Sequence, residues 1–129
     1  MATTSAAAPP LGPEKTYRDK LAAGRFEIQR CAACAKHVFY PRVLCPHCGA
    51  DRLEWVRPSG RGTVYSSTVV RRRPADGGDY SVVLIDLEEG VRMMSRVAGI
   101  APQAVAIGLR VQARIAGEGE AALVEFVPA

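Results

Sequence analysis

Four cysteines carry the clearest chemistry in this 129-residue chain: Cys31-Ala-Ala-Cys34 and Cys45-Pro-His-Cys48, with ten residues between the pairs. Two residues between thiols let a short turn aim both sulfurs at one point. Two such turns facing each other make a tetrahedral four-sulfur cage. That cage suits Zn²⁺, which imposes no geometry of its own and takes thiolates at about 2.3 Å. Iron in a rubredoxin-like site fits the same tetrahedron and is the lesser alternative. A redox dithiol needs only one pair, in a βαβ setting that the pattern does not offer. Two disulfides would suit a secreted chain, and MATTSAAAPPLGP does not read as a secretory signal. His37 and His47 sit beside the cage; with four thiolates at hand they are expected as exposed loop residues, not ligands.

The elements around the cage are short. Residues 1–13 are small, Pro-rich and nearly devoid of large apolar side chains, so a flexible arm is expected there. A helix is expected over 14–25, opened by Pro13-Glu14 and closed by Gly24, with Tyr17 and Leu21 on one face. Phe26–Gln29, Val38–Pro41 and Leu53–Val56 read as strands around the metal, making a zinc ribbon over 26–58. So small a unit has little core, and metal ligation must supply much of its folding energy.

The turn cluster Arg57-Pro-Ser-Gly-Arg-Gly62 marks a boundary, and 59–129 reads as all β. Strands are expected at 63–70, 80–87, 91–97, 110–115 and 121–127. The second, YSVVLIDL, is apolar enough to be buried on both faces. One or two helical turns at 101–107 fall between the third and fourth strands. That is the layout of an OB-fold, a five-stranded Greek-key barrel, favoured over a plain sandwich. The fold class is therefore mainly β: N-terminal helix, rubredoxin-like zinc ribbon, then OB barrel.

Composition narrows the compartment and partners. The formal charge is +4, the sequence pI near 9.1, and 14 of the 17 basic residues are arginine. Zn²⁺ adds two charges and four thiolates remove four, so the loaded chain is nearer +2. This fits an anionic partner without arguing for nucleic acid. No apolar run approaches the ~20 residues that span a bilayer, so no membrane role is expected. Free thiols point to a reducing cytoplasm.

With these residues in view, the chain resembles the acyl-CoA-associated OB-fold proteins that carry an N-terminal rubredoxin-like zinc ribbon, a domain-of-unknown-function family. The matching stretches are Gly24-Arg-Phe-Glu-Ile-Gln-Arg-Cys31-Ala-Ala-Cys34, Phe39-Tyr-Pro-Arg42, Cys45-Pro-His-Cys-Gly49, Leu53-Glu-Trp55, Ser59-Gly-Arg-Gly-Thr-Val-Tyr-Ser66, Tyr80–Leu87 with Glu89-Gly-Val91, and Ile107-Gly-Leu-Arg-Val111. They cover about residues 14 to 128. Ala35 departs from the glycine often found after the first pair, and Arg71-Arg72-Arg73 is more basic than most.

The resemblance implies a non-catalytic subunit of a thiolase-fold enzyme, either a thiolase or a steroid side-chain retro-aldolase. Such a subunit helps hold or channel acyl-CoA, in some cases beside a hydratase. For that role Arg71, Arg72 and Arg73, in the loop between the first two barrel strands, are candidates to meet CoA phosphates, with Arg57 and Arg61 facing the same anion. Tyr65 and Tyr80 are candidates to stack on adenine, although strand packing is the blander role for each. No catalytic set is expected: Asp86, Glu88 and Glu89 read as a solvated hairpin end, and Ser66 and Ser67 have no histidine nearby in sequence. Two alternatives stand beside this reading. Single-stranded nucleic-acid binding suits the folds, but only eight aromatics are present to stack bases. A rubredoxin-like electron carrier would need iron.

Overall fold

The structure, a computed structural model, describes residues 12–129. The expected arm at 1–13 therefore lies outside the described residues except for Gly12 and Pro13. Helix α1 spans Pro13–Ala22, with Pro13 in the first turn, where its missing N–H has no partner to lose. Gly24 adopts φ +85°; its N–H donates to the Leu21 carbonyl at 2.9 Å, and the Arg25 N–H donates to the Lys20 carbonyl at 2.8 Å. This pair of bonds is a Schellman cap, and it stops the helix three residues short of the expected 25. The buried face holds Tyr17 and Leu21. Tyr17 meets Phe26, Phe39 and Tyr40 edge-on, with ring centroids 6.5, 5.6 and 6.2 Å away. Tyr17 and Leu21 join the main core, so the helix is pinned between ribbon and barrel.

The ribbon is a three-stranded antiparallel sheet of β1 (Ile28–Cys31), β2 (His37–Val38) and β3 (Leu53–Val56), in the order β2-β1-β3. The first strand starts two residues later than the alternation from Phe26 implies. The second is only two residues long, because the chain leaves the sheet before Pro41. Its satellite core contains three buried residues, Cys31, Val38 and Cys45, and two of those are cysteines.

Beyond it lie β4 (Arg61–Val70), β5 (Tyr80–Leu87), β6 (Arg92–Ser95), β7 (Arg110–Ala116) and β8 (Leu123–Pro128), in the order β6-β5-β4-β7-β8 with every pairing antiparallel. The chain past β6 closes the sheet. Val97 bridges Phe126 in parallel, the Ala98 N–H donates to the Phe126 carbonyl at 2.7 Å, and the Phe126 N–H donates to the Arg96 carbonyl at 3.0 Å. Closure with this order is the OB barrel. Val64, Val83, Ile85, Val111 and Phe126 fill it, each at most 1% exposed. In β5 the inward residues Ser81, Val83, Ile85 and Leu87 are buried and the outward ones only half-buried, so this strand is covered fully on one face, not two. The helical turns expected at 101–107 shrink to one 3₁₀ turn, Pro102–Ala104, between β6 and β7. Glu125, 6% exposed at its side chain, is clamped by Arg96 and Arg114 at 3.0 and 2.7 Å, tying β8 to β7 and to the chain beyond β6.

Candidate metal centre and anion-binding residues

The two C-x-x-C turns are local repeats of one another. In the first, the Cys31 N–H donates to the Lys36 carbonyl at 2.9 Å and the Ala35 N–H to the Cys31 carbonyl at 2.8 Å. In the second, the Cys45 N–H donates to the Ala50 carbonyl and the Gly49 N–H to the Cys45 carbonyl, both at 2.8 Å. The fourth residue past each first cysteine must take positive φ: Gly49 does so at +79° and Ala35 at +67°. The turns face each other. The Sγ atoms of Cys31, Cys34, Cys45 and Cys48 all lie within 4.8 Å of one another, with Cys31–Cys48 at 3.6 Å and Cys34–Cys45 at 3.7 Å.

A regular tetrahedron with arms of about 2.3 Å has edges of about 3.8 Å, so the donor set fits a four-coordinate metal. The electrostatics agree. The Cys34 backbone N–H draws the Cys31 thiol down to about 7. The Ala50 N–H favours the Cys48 thiolate, but the crowding sulfurs of Cys31, Cys34 and Cys45, together with burial, outweigh it and push Cys48 up to about 11. Burial opposes ionisation of Cys45, yet the His47 and Cys48 N–H groups prevail and lower it. Four sulfurs this close cannot all ionise without a cation among them. His47 contributes its backbone N–H to the Cys45 sulfur at 3.3 Å, and among the described residues neither histidine joins the four-sulfur group. His37 opens β2 instead of standing in a loop.

One buried side chain gives no signal in the sequence. Gln29, 4% exposed, donates from Nε2 to the Arg42 carbonyl at 2.8 Å and accepts the Arg42 N–H at 2.7 Å. This pair of hydrogen bonds anchors the segment between the cysteine pairs to β1.

The arginines expected to share one anion are not brought together. Arg57 lies four residues before β4, Arg61 at its start and Arg71–Arg73 past its end, and the ten-residue strand spans about 30 Å of path. Arg61 pairs with Glu88 at 3.0 Å and Arg73 with Asp76 at 3.1 Å. The Arg72 Nε donates to the Gly78 carbonyl at 3.1 Å, and its guanidinium covers the Tyr80 ring at 4.6 Å. Tyr65 is the extra residue of a bulge in β4, which turns its ring outward to 50% exposure; Arg92 covers one face at 3.5 Å. Glu88 and Glu89 do more than end a hairpin. The Glu88 carboxylate accepts the Ser59 hydroxyl at 3.0 Å, and Glu89 accepts the Ser59 N–H at 2.9 Å. Asp86 pairs with Arg92 at 2.6 Å. No helix among the described residues is long and apolar enough to cross a membrane.

Comparison with known proteins matches these parts to one family. The rubredoxin-like zinc ribbon domain of ChsH2 matches residues 18–54, and the C-terminal OB-fold domain of ChsH2 matches residues 55–116. A probable enoyl-CoA hydratase alpha subunit of Thermomonospora curvata is 42% identical over 89 residues, which are 67% of this chain but 28% of that protein. The chain thus spans little more than a quarter of that relative's length. A DUF35 domain-containing scaffold protein of Methanocaldococcus jannaschii is 33% identical over 104 residues, covering 75% of this chain and 74% of that one. A chain of the solved Ltp2-ChsH2(DUF35) aldolase superposes with a TM-score of 0.80 at 34% identity, covering 94% of this chain and 98% of its own length. A four-cysteine ribbon joined to an OB barrel, matched nearly end to end, makes this chain a member of the ChsH2/DUF35 family.

Proposed function

We propose that the chain is a non-catalytic accessory subunit. It docks on a thiolase-fold enzyme, a thiolase or a steroid side-chain retro-aldolase, and helps hold or channel that enzyme's acyl-CoA substrate. The observation that carries this reading is the near full-length likeness to one chain of a solved aldolase assembly. The relatives' names agree with it: one is a subunit of a hydratase and another a scaffold. A hydratase is accordingly a further candidate partner, and the reducing cytoplasm the compartment that suits the free thiols.

Zn²⁺ held by Cys31, Cys34, Cys45 and Cys48 is the proposed resident metal. A closed four-thiolate shell leaves no position for water or substrate, so its contribution is structural. It would hold two turns together where the ribbon's own core is three residues deep. The function is then positional. A rigid ribbon and barrel present one surface to the partner, and orienting a bound acyl-CoA lowers the partner's barrier without any group here touching the reacting bond. Arg71, Arg72 and Arg73, past the end of β4, are the proposed phosphate contacts, with the free faces of Tyr65 and Tyr80 available to adenine.

The test is co-expression with a thiolase-fold enzyme from the same host. The expected result is a stable complex whose acyl-CoA turnover collapses when this chain is withheld. A partner fully active alone overturns the reading.

A further inference from the structure

The four cysteines share one cage but not one exposure. Cys31 and Cys45 are buried, at 0% and 3%, Cys34 is half-buried and Cys48 is exposed. The second turn is the outer one. Pro46, His47, Cys48 and Gly49 are all exposed, and a Cβ built on Gly49 would meet nothing within 4 Å. A small solute therefore has open access to Cys48, while Cys31 is closed to solvent.

Two close sulfur contacts cross between the turns. Cys48 meets Cys31 at 3.6 Å and Cys34 meets Cys45 at 3.7 Å. Each more accessible thiol thus has a buried thiol of the opposite turn beside it. A sulfur that holds a metal is a thiolate, which is also the form that attacks an oxidant, and selectivity among such sulfurs follows access. Of the four, Cys48 meets an oxidant first, and Cys31 stands in reach of the product.

We propose that Cys48 is an oxidation site with Cys31 as its resolving thiol, so that peroxide turns the metal cage into a cross-turn disulfide. The proposal rests on the proposed resident metal and is independent of the acyl-CoA reading. The Cys48 thiolate attacks one oxygen of hydrogen peroxide. An S–O bond forms, the O–O bond breaks and hydroxide leaves, giving a sulfenic acid. The Cys31 thiolate then attacks the Cys48 sulfur. The S–S bond forms, the S–O bond breaks and a second hydroxide leaves. Two thiolates lose two electrons in all, and one peroxide becomes two hydroxides that solvent protonates to water. Cys34 and Cys45 remain as two donors, too few to close a four-coordinate shell, so the metal is released.

The experiment exposes the zinc-loaded full chain to one equivalent of hydrogen peroxide beside a chromogenic zinc indicator. Free thiols are then blocked and peptides mapped without reduction. The expected result is zinc release in step with peroxide consumed, a Cys31–Cys48 linked peptide, early trapping of a sulfenic acid by dimedone at Cys48, and recovery of zinc binding after dithiothreitol. Cys48→His keeps four donors, three sulfurs and one nitrogen, a common structural zinc set, and removes the exposed thiol; release should slow about tenfold or more. Cys34→His keeps the Cys31–Cys48 pair, and its release should stay within about twofold of wild type. Zinc content and melting are the folding controls, and where a histidine variant holds no zinc the wild-type peptide map decides. Disulfides within the pairs, first trapping at Cys34, or equal release from Cys48→His overturns the proposal. A zinc-loaded chain that keeps its metal and all four thiols under peroxide removes this inference and leaves the metal assignment standing; a chain that binds no zinc overturns both.

Discussion

Ala35 is the one non-glycine residue held at positive φ among the described residues, at +67°. Its counterpart in the second cysteine turn is Gly49 at +79°. The two turns share their hydrogen bonds, so the backbone demand is the same and only the residue differs. A left-handed conformation costs a residue with a Cβ about 1–2 kcal/mol. Glycine gives back part of that through its freer unfolded state, about 0.4–1 kcal/mol. Ala35→Gly should therefore stabilise the metal-loaded chain by about 0.5–1 kcal/mol, a rise of roughly 2–4 °C in Tm for a chain of this size. Because ribbon folding and metal binding are coupled, the same energy should tighten metal binding by up to about fivefold. Gly49→Ala is the converse: an added Cβ meets nothing within 4 Å, so its loss reads backbone conformation alone. Calorimetry and competition with a chromogenic chelator measure both. If Ala35→Gly were neutral or destabilising while Gly49→Ala destabilised, the equivalence of the two turns would be refuted.

Three further outcomes are expected. Gly62→Ala should cost about 2 kcal/mol or more, because an added Cβ would sit 2.7 Å from Ile85 Cγ2 and 2.8 Å from the Asp86 carbonyl; denaturant melts check this. Glu125→Gln should cost about 2 kcal/mol near neutral pH by weakening two charge-assisted bonds. Burial opposes the Glu125 charge, but Arg114 and Arg96 prevail and hold its carboxyl below the ordinary 4.5. A depressed folded value means the stabilisation is present above the unfolded value and fades as pH falls through the folded one, so wild type and Glu125→Gln should converge in acid melts. Gln29→Leu should loosen the segment between the cysteine pairs, seen as faster amide exchange at Arg42, with barrel amides unchanged.

The cage was legible in the sequence because its information is local: two residues within a pair, ten between pairs, and a set of thiols whose spacing suits little chemistry besides metal binding. The barrel was legible for a related reason. β-Branched residues marked 63–70, an apolar run marked 80–87 and strict alternation marked 110–115, while Gly90 and Gly117 marked turns and a helical turn fell between the third and fourth strands. What stayed hidden joins residues far apart through side chains, which leave no period to read. Gln29 looked like an outward residue of an alternating strand, yet it is buried by a bond to the backbone 13 residues on. Glu88 and Glu89 looked solvated, yet they hold Ser59, 29 and 30 residues earlier. Arg57 and Arg61 share with Arg71–Arg73 only their charge in the sequence, and the course of β4 separates them.

The proposed docking role depends on a ribbon clamped by a metal among its four cysteines. The most direct test is size-exclusion chromatography of the co-expressed complex, with metal analysis on the same fractions before and after chelation. The expected result is one zinc per copy of this chain, co-elution with the partner, and loss of both on chelation. A metal-free chain that still co-elutes, or an isolated metal-loaded chain that turns over acyl-CoA alone, would contradict it.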